Sequence, residues 1–288
     1  MKLVHLIMAH NQPPVEELAR LVRRLRHPDA VVYIHYDLKF DLAPVRDFFA
    51  GYPEVFFVKN RVKVGWATYS MIEATVNSFA EIMEAYPQLD YLNLLSAQDY
   101  PLRPIDQFHS YLEQHPGKAF MHTLDVRTEW TEAISRVTEY HLDSLDIPGK
   151  YFIQGWMNRI LPERRMPGNM IPVGRSQWFT IAGKHIRYIL ETLEQNKALV
   201  RFFKLSWAPD EMLFQTILYN SEYKKDMVND NLRYIDWSEG NKNPKLLTSE
   251  DLQPLLASGK YFGRKFSAAK DVAVLDQLDR QLQPEGMQ

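Results

Sequence analysis

The amino-acid sequence predicts an α/β fold in which a mostly parallel sheet is flanked by helices. Two observations carry this: short β-rich runs alternate with stretches of helical period, and each run is bounded by polar or turn residues. A third is size, since 288 residues with 45% apolar content can bury one large core. A single domain over 1–288 is expected.

The first strand is LVHLIMA (3–9), followed by AVVYIHY (30–36), EVFFV (54–58), LDYLNLL (89–95) and KAFMH (118–122). Between them, PVEELARLVRRL, TYSMIEATVNSFAEIMEAY and IDQFHSYLEQH space their apolar residues for helices. Residues 123–172 break the rhythm. Trp130, Trp156, prolines and glycine near 162–168, and Arg159, Arg164 and Arg165 predict a loop-rich insertion, read as a flap or acceptor platform. Beyond it come SQWFTI, a helix from about Lys184 to Asn196, a helix opening at Pro209, a strand LRYIDW, a helix near TSEDLQPLLAS and a C-terminal helix. The final LQPEGMQ reads as a frayed end.

Composition excludes several function classes. Lysine and arginine number 34 against 36 acids, and a net charge of -2 offers no general field for nucleic acid or an anionic membrane. Cysteine is absent, which removes disulfides, thiolate metal sites and a cysteine nucleophile. The sequence contains no apolar run of membrane-spanning length, and the chain reads as cytoplasmic or membrane-associated.

Parallel sheets bind ligands beyond the carboxyl ends of their strands. There the chain places His10 and Asn11, residues 35–39, 61–66 and 96–100, all rich in groups that hold a polar ligand. It has no Asp-x-Asp pair for a divalent cation, and its histidines lack zinc spacing, so no metal is expected. Neither a Gly-x-Gly-x-x-Gly nor a Walker loop occurs, and Gly-x-Ser-x-Gly is missing although GRSQW approaches it.

APDEMLFQTIL (208–218) admits two readings. Pro209 at the first helical position makes Asp210 and Glu211 first-turn acids, favoured by the helix dipole, with Glu211 near a capping-box position. Leu213, Phe214, Ile217 and Leu218 mark the buried stripe, and Glu211 falls at its margin, where a carboxylate lines a cleft. Late in the chain YFGRKF sets Arg264 beside Lys265, either a solvated pair or the countercharge of a bound diphosphate. Asp37 and Asp99 follow strands and suit turns equally; Trp66 and Trp178 suit either core or ligand stacking.

Taken in order, YIHYDLK, VGWATYS, LLSAQDYPL, SQWF, PDEMLFQTIL and FGRKF resemble the core-2/I-branching enzyme family (glycosyltransferase family 14), as a bacterial member. That family groups β-1,6-N-acetylglucosaminyltransferases with protein O-xylosyltransferases, and the likeness runs from about residue 3 to 267. The resemblance implies a GT-A-type, Rossmann-like fold and transfer with inversion from a UDP-sugar to a glycan or peptide hydroxyl, without a metal ion or other cofactor. It implies that Glu211 is the general base and that Arg264 and Lys265 offset the departing diphosphate. Lys242 falls near a second basic position, and Asp37, Trp66 and His10 lie toward the nucleotide. Asp99, Ser176, Gln177 and Trp178 match segments on the sugar side. Ala67 stands where glycine is usual, Gly263 where alanine is common, and the disulfides of animal members cannot form.

Inverting transfer needs one base, because the nucleotide leaves as an anion. A glycosidase needs two separated carboxylates, for which Asp99 and Glu211 are the candidates, but Arg264 and Lys265 would then have no role. The remaining alternative is a catalytically silent glycan-binding domain.

Overall fold

The computed structural model describes every residue except Lys242 and 283–288, so the Lys242 expectation and nearly all of the C-terminal LQPEGMQ lie outside the described residues. The first half runs β1 (Leu3–Ala9), α1 (Val15–Arg24), β2 (Ala30–Tyr36), α2 (Ala43–Phe48), β3 (Val55–Phe57), α3 (Ser70–Ala85) and β4 (Tyr91–Ser96). Next come β5 (Asp99–Pro101), α4 (Ile105–Gln114), β6 (Ala119–Phe120), β7 (Leu124–Asp125), α5 (Ser135–Thr138), α6 (Lys150–Ile160) and β8 (Val173–Gly174). The rest is β9 (Thr180–Ala182), α7 (Gly183–Gln195), α8 (Lys197–Lys204), α9 (Leu213–Tyr219), β10 (Met227–Val228), β11 (Arg233–Ile235), α10 (Leu252–Ala257), β12 (Phe262–Arg264) and α11 (Val272–Gln281).

The main sheet has the order β10-β6-β9-β4-β1-β2-β3. Parallel pairing joins β4, β1, β2 and β3, while β9 runs antiparallel to both β4 and β6. The expected α/β architecture is therefore present, with one strand reversed. Every residue of β1 and β2 is buried, as a continuous apolar run requires when helices cover both faces. The period of two divides β1 between two cores: Val4, Leu6 and Met8 enter the cluster with Phe79, Phe179 and Phe214, while Leu3, Ile7 and Ala9 enter the one with Leu18, Val22 and Phe108.

A second sheet, β11-β12-β5, sits beyond the carboxyl end of β4. Its antiparallel register sets Arg264 opposite Asp99. Sequence reading assigns LRYIDW to a strand, but leaves 99–101 and 262–264 unassigned; three-residue strands are too short to show a period. The 123–172 insertion is less irregular than expected, because residues 150–160 form α6. KAFMH contributes only Ala119–Phe120 to the sheet. No described helix is long and apolar enough to cross a membrane.

Candidate active site

Pro209 opens a single 3-10 turn, Pro209–Glu211, rather than the first turn of an α-helix. The backbone breaks at Met212, with φ -136° and ψ -37°, and α9 begins at Leu213. Leu213, Phe214, Ile217 and Leu218 are buried as the apolar stripe predicts. The capping reading of the two acids fails, since neither helix start has a side-chain cap and the break turns Glu211 out of the register of α9.

Glu211 instead accepts a hydrogen bond on Oε2 from Arg136 Nη1 at 2.6 Å, with 29% of its side chain still exposed. The Arg136 guanidinium lies 4.7 Å from the Trp130 ring centre and 4.5 Å from that of Trp207. Held between two aromatic faces, the cation has a fixed position from which to hold the carboxylate. The Glu211 carbonyl accepts from Arg175 N at 3.0 Å. Gly174 packs so tightly beneath it that a Cβ would sit 2.1 Å from that oxygen, which leaves room for glycine alone.

Asp210 has the opposite surroundings. It is buried, and its Oδ1 has no partner among the described residues. Burial first, and the neighbouring Glu211 charge second, push its pKa up to about 7. Two adjacent acids are thus separated in role: one is paired with a cation and reachable, the other is buried and inclined to keep its proton.

On the other side of the site, Arg264 Nη1 donates to Asp99 Oδ1 at 3.1 Å and to Ser96 Oγ at 3.2 Å. Its guanidinium lies 4.4 Å from the Trp178 ring centre. Asp99 also accepts from Ser96 N and Oγ at 2.8 and 2.9 Å. Burial lowers the Arg264 pKa, opposed by the charges of Asp99 and then Glu211, so Glu211 and Arg264 act on each other electrically. Half-buried Lys265 is likewise held down, by burial and then by Arg264. Crowded, poorly solvated cations favour an anion beside them.

Behind this pair lies Arg233, wholly enclosed and absent from the sequence-based candidates. It donates to Thr180 Oγ1 at 3.0 Å, Leu94 O at 3.0 Å and Phe179 O at 3.1 Å, and also to Asn93 and Asn231. Burial lowers its pKa to about 9. An arginine inside the short run LRYIDW is the only sequence signal of that role. Arg136 and Trp207 were missed as well, because nothing local in ISRVTEY or LSWAPD marks residues whose partners are distant in the chain.

The remaining predicted residues divide. Trp66 is 64% exposed and meets Trp207 edge-on at 5.6 Å between ring centres, which links it through Arg136 to Glu211. Asp37 is wholly buried; its carboxylate accepts from Lys39 N at 2.9 Å and Val64 N at 3.3 Å and pairs with Lys39 Nζ at 3.2 Å. It therefore anchors the loop leading to Trp66. His10 is partly buried and pushed down to about 4 by burial and then by His35, so its ring is neutral at pH 7.

Ser176, Gln177 and Trp178 are buried too. Ser176 Oγ accepts from Trp178 N at 3.2 Å and Asn231 Nδ2 at 3.3 Å, and Trp178 carries Arg264. Gln177 Nε2 is buried with no partner among the described residues. Asp99 is only 2% exposed and is committed to Arg264, which removes it as the second carboxylate of a glycosidase pair. Among the described residues, no group of three or more His, Asp or Glu side chains is arranged to hold a metal ion.

Comparison with known proteins adds an independent line. The family model described as Core-2/I-Branching enzyme matches residues 4–256. The chain is 24% identical over 300 residues to "Xylosyltransferase oxt" of Drosophila melanogaster, covering 96% of this chain and 33% of that protein. It is 25% identical over 287 residues to "Xylosyltransferase 1" of Rattus norvegicus, covering 92% and 34%. The chain thus spans about a third of the length of these curated relatives. Among solved structures, the apo form of mouse xyloside xylosyltransferase 1 aligns over 91% of this chain and 97% of that chain, with 12% identity and a TM-score of 0.42.

Proposed function

Because the chain belongs to the Core-2/I-branching enzyme family, we propose that it is an inverting glycosyltransferase of GT-A type. It moves N-acetylglucosamine or xylose from a UDP-sugar to a hydroxyl of a glycan or peptide, without a metal ion. Glu211 takes the proton of the acceptor hydroxyl as that oxygen bonds to the anomeric carbon. The bond from that carbon to the diphosphate breaks, and UDP leaves as an anion needing no proton.

What supports this reading is one juxtaposition: a partly exposed carboxylate, ion-paired at 2.6 Å to Arg136, lies close enough for its charge to act on buried Arg264, which stands beside Lys265. Fixed positive groups near the leaving oxygen lower the barrier as charge develops there. A cation pair built into the chain supplies what a divalent ion supplies elsewhere.

The test is UDP release from UDP-N-acetylglucosamine and UDP-xylose with a panel of glycan and peptide acceptors, with and without EDTA. Turnover should persist with chelator and fall by about 10²–10⁴-fold in Glu211→Gln, the usual range for loss of a general base. Turnover abolished by EDTA, or a Glu211→Gln enzyme close to wild type, refutes the mechanism.

A further inference from the structure

Arg164 is a buried cation held by carbonyls and one hydroxyl. It is 7% exposed, and its guanidinium donates to Leu205 O at 2.5 Å, Glu139 O at 2.7 Å and Ser206 Oγ at 3.3 Å, and also to Phe202 O. Its backbone N donates to Thr138 O at 2.9 Å. The guanidinium lies 3.9 Å from the Phe202 ring centre. Burial lowers its pKa to about 10, so the group stays charged at pH 7. These acceptors are the carboxyl ends of two helices: Thr138 and Glu139 close α5, and Phe202 and Leu205 close α8. Carbonyls left without partners at a helix C-terminus carry partial negative charge, which here takes the place of an acid beside the cation.

The base and its partner flank this junction. Arg136 lies within α5, just before Thr138, and α8 leads through Trp207 and Ala208 into the turn that carries Glu211. Ala208 holds a left-handed φ of 45°. That conformation costs an alanine about 1–2 kcal/mol and persists only where its surroundings fix it. One brace is Ala208 N, donating to Ala67 O at 2.9 Å. The other side is braced through the end of α8, where Arg164 and His141 N, at 2.9 Å, both reach Leu205 O. The polar stripe of α6 completes the frame: Asn158 bonds Tyr140 N at 2.7 Å and Tyr140 O at 3.0 Å, and Gln154 Oε1 accepts from Leu142 N at 2.9 Å. Residues 138–164 thus form a closed loop fastened at its neck by Arg164. We propose that Arg164 is a positioning residue for the base: by clamping the end of α5 to the end of α8, it sets the gap that Arg136 crosses to reach Glu211. The inference rests on the reading of Glu211 as the base. A guanidinium suits the task because its planar fork reaches acceptors on both helices at once, whereas an ammonium is a single point of attachment.

Double-mutant kinetics test the clamp. Arg164→Lys should lower kcat by about 10–10²-fold, the cost of a displacement near 1 Å, while UDP affinity, which depends on Arg264 and Lys265, stays unchanged. In an Arg136→Met background the same substitution should cost nothing further, because the side chain it positions is gone. Equal costs in the two backgrounds, or a parallel loss of kcat and UDP affinity, would make Arg164 structural support alone and overturn the proposal. Ser206→Ala, which removes one acceptor and leaves the arginine in place, should show the same dependence on Arg136 at smaller size, and it keeps the test open where the lysine variant does not fold. A crystal structure of Arg164→Lys measures the geometry without any transfer assay: the Arg136–Glu211 contact should open beyond about 3.5 Å, and a contact kept at 2.6 Å would overturn the clamp. An inactive wild type together with an opened contact in the variant would instead refute the transfer reading and leave the clamp intact.

Discussion

Replacing Arg136 by methionine removes the cation from Glu211 while keeping an unbranched stem between Trp130 and Trp207. The lost interaction is short, at 2.6 Å, and sheltered, with side chains 13% and 29% exposed. Unit charges about 4 Å apart at an effective dielectric near 20 attract by about 4 kcal/mol. Desolvation and partial exposure reduce that to the roughly 1.5–3 kcal/mol usual for a charge-assisted hydrogen bond. In the variant Glu211 loses the partner that holds its carboxylate in place, so kcat/KM, followed by UDP release, should fall by about 10–10²-fold, the rate equivalent of that loss. Arg136→Lys, which keeps the charge, should recover part of it. An Arg136→Met enzyme within twofold of wild type would refute the reasoning.

Lys265→Met should lower kcat by about 10²-fold with little change in melting temperature, whereas Arg264→Met should also destabilise by about 3–5 kcal/mol because it strands the buried Asp99 carboxylate; a Lys265→Met enzyme within twofold of wild type would contradict its role. Asp210 has a pKa raised from 3.8 to about 7, so the folded state holds its proton more tightly than the unfolded chain. The stability this contributes is complete below about pH 4 and is lost as pH rises through about 7, by on the order of 4 kcal/mol at most. Asp210→Asn should flatten that slope in urea midpoints measured across the window, and parallel curves for the two proteins would contradict it.

The sequence showed the main sheet and its flanking helices because β1, β2 and β4 are long runs with clear limits, and α1 and α3 carry several turns of period. It also singled out Glu211, Arg264, Lys265 and Trp66, all of which the structure brings into one region, directly or through Trp207. What it did not show were relations between distant segments. Arg136 meets Glu211 across 75 positions, and Arg264 meets Asp99 across 165. Neither partnership leaves a trace in local spacing. The 3-10 turn at Pro209–Glu211 was hidden for another reason: a proline followed by two acids and an apolar run fits an α-helix equally well, and nothing in the run marks the backbone break at Met212. The same limit explains α6, whose apolar residues sit at helical spacing but whose polar stripe finds its partners on the preceding segment.

Charge accounting links these pieces. Around the Arg264 end of the site, Arg233, Arg264 and Lys265 are cationic, and Asp99 offsets one of them, leaving an excess of about two positive charges. A sugar nucleotide's diphosphate carries two negative charges, and the UDP that leaves carries more. For the proposed transfer, the match is therefore close with a donor bound and favours the developing leaving group. Arg233 is wholly enclosed and acts only through space, while Asp99 already occupies one face of Arg264. Lys265 is then the cation most free to follow charge onto the leaving oxygen, which is why its loss should appear in kcat and not in folding. Glu211 has a countercharge of its own in Arg136, and Arg264 has one in Asp99, so although the charge of Glu211 reaches Arg264 each is already paired with a separate partner. On the proposed mechanism, that division leaves the carboxylate close to the cations without being bound by them.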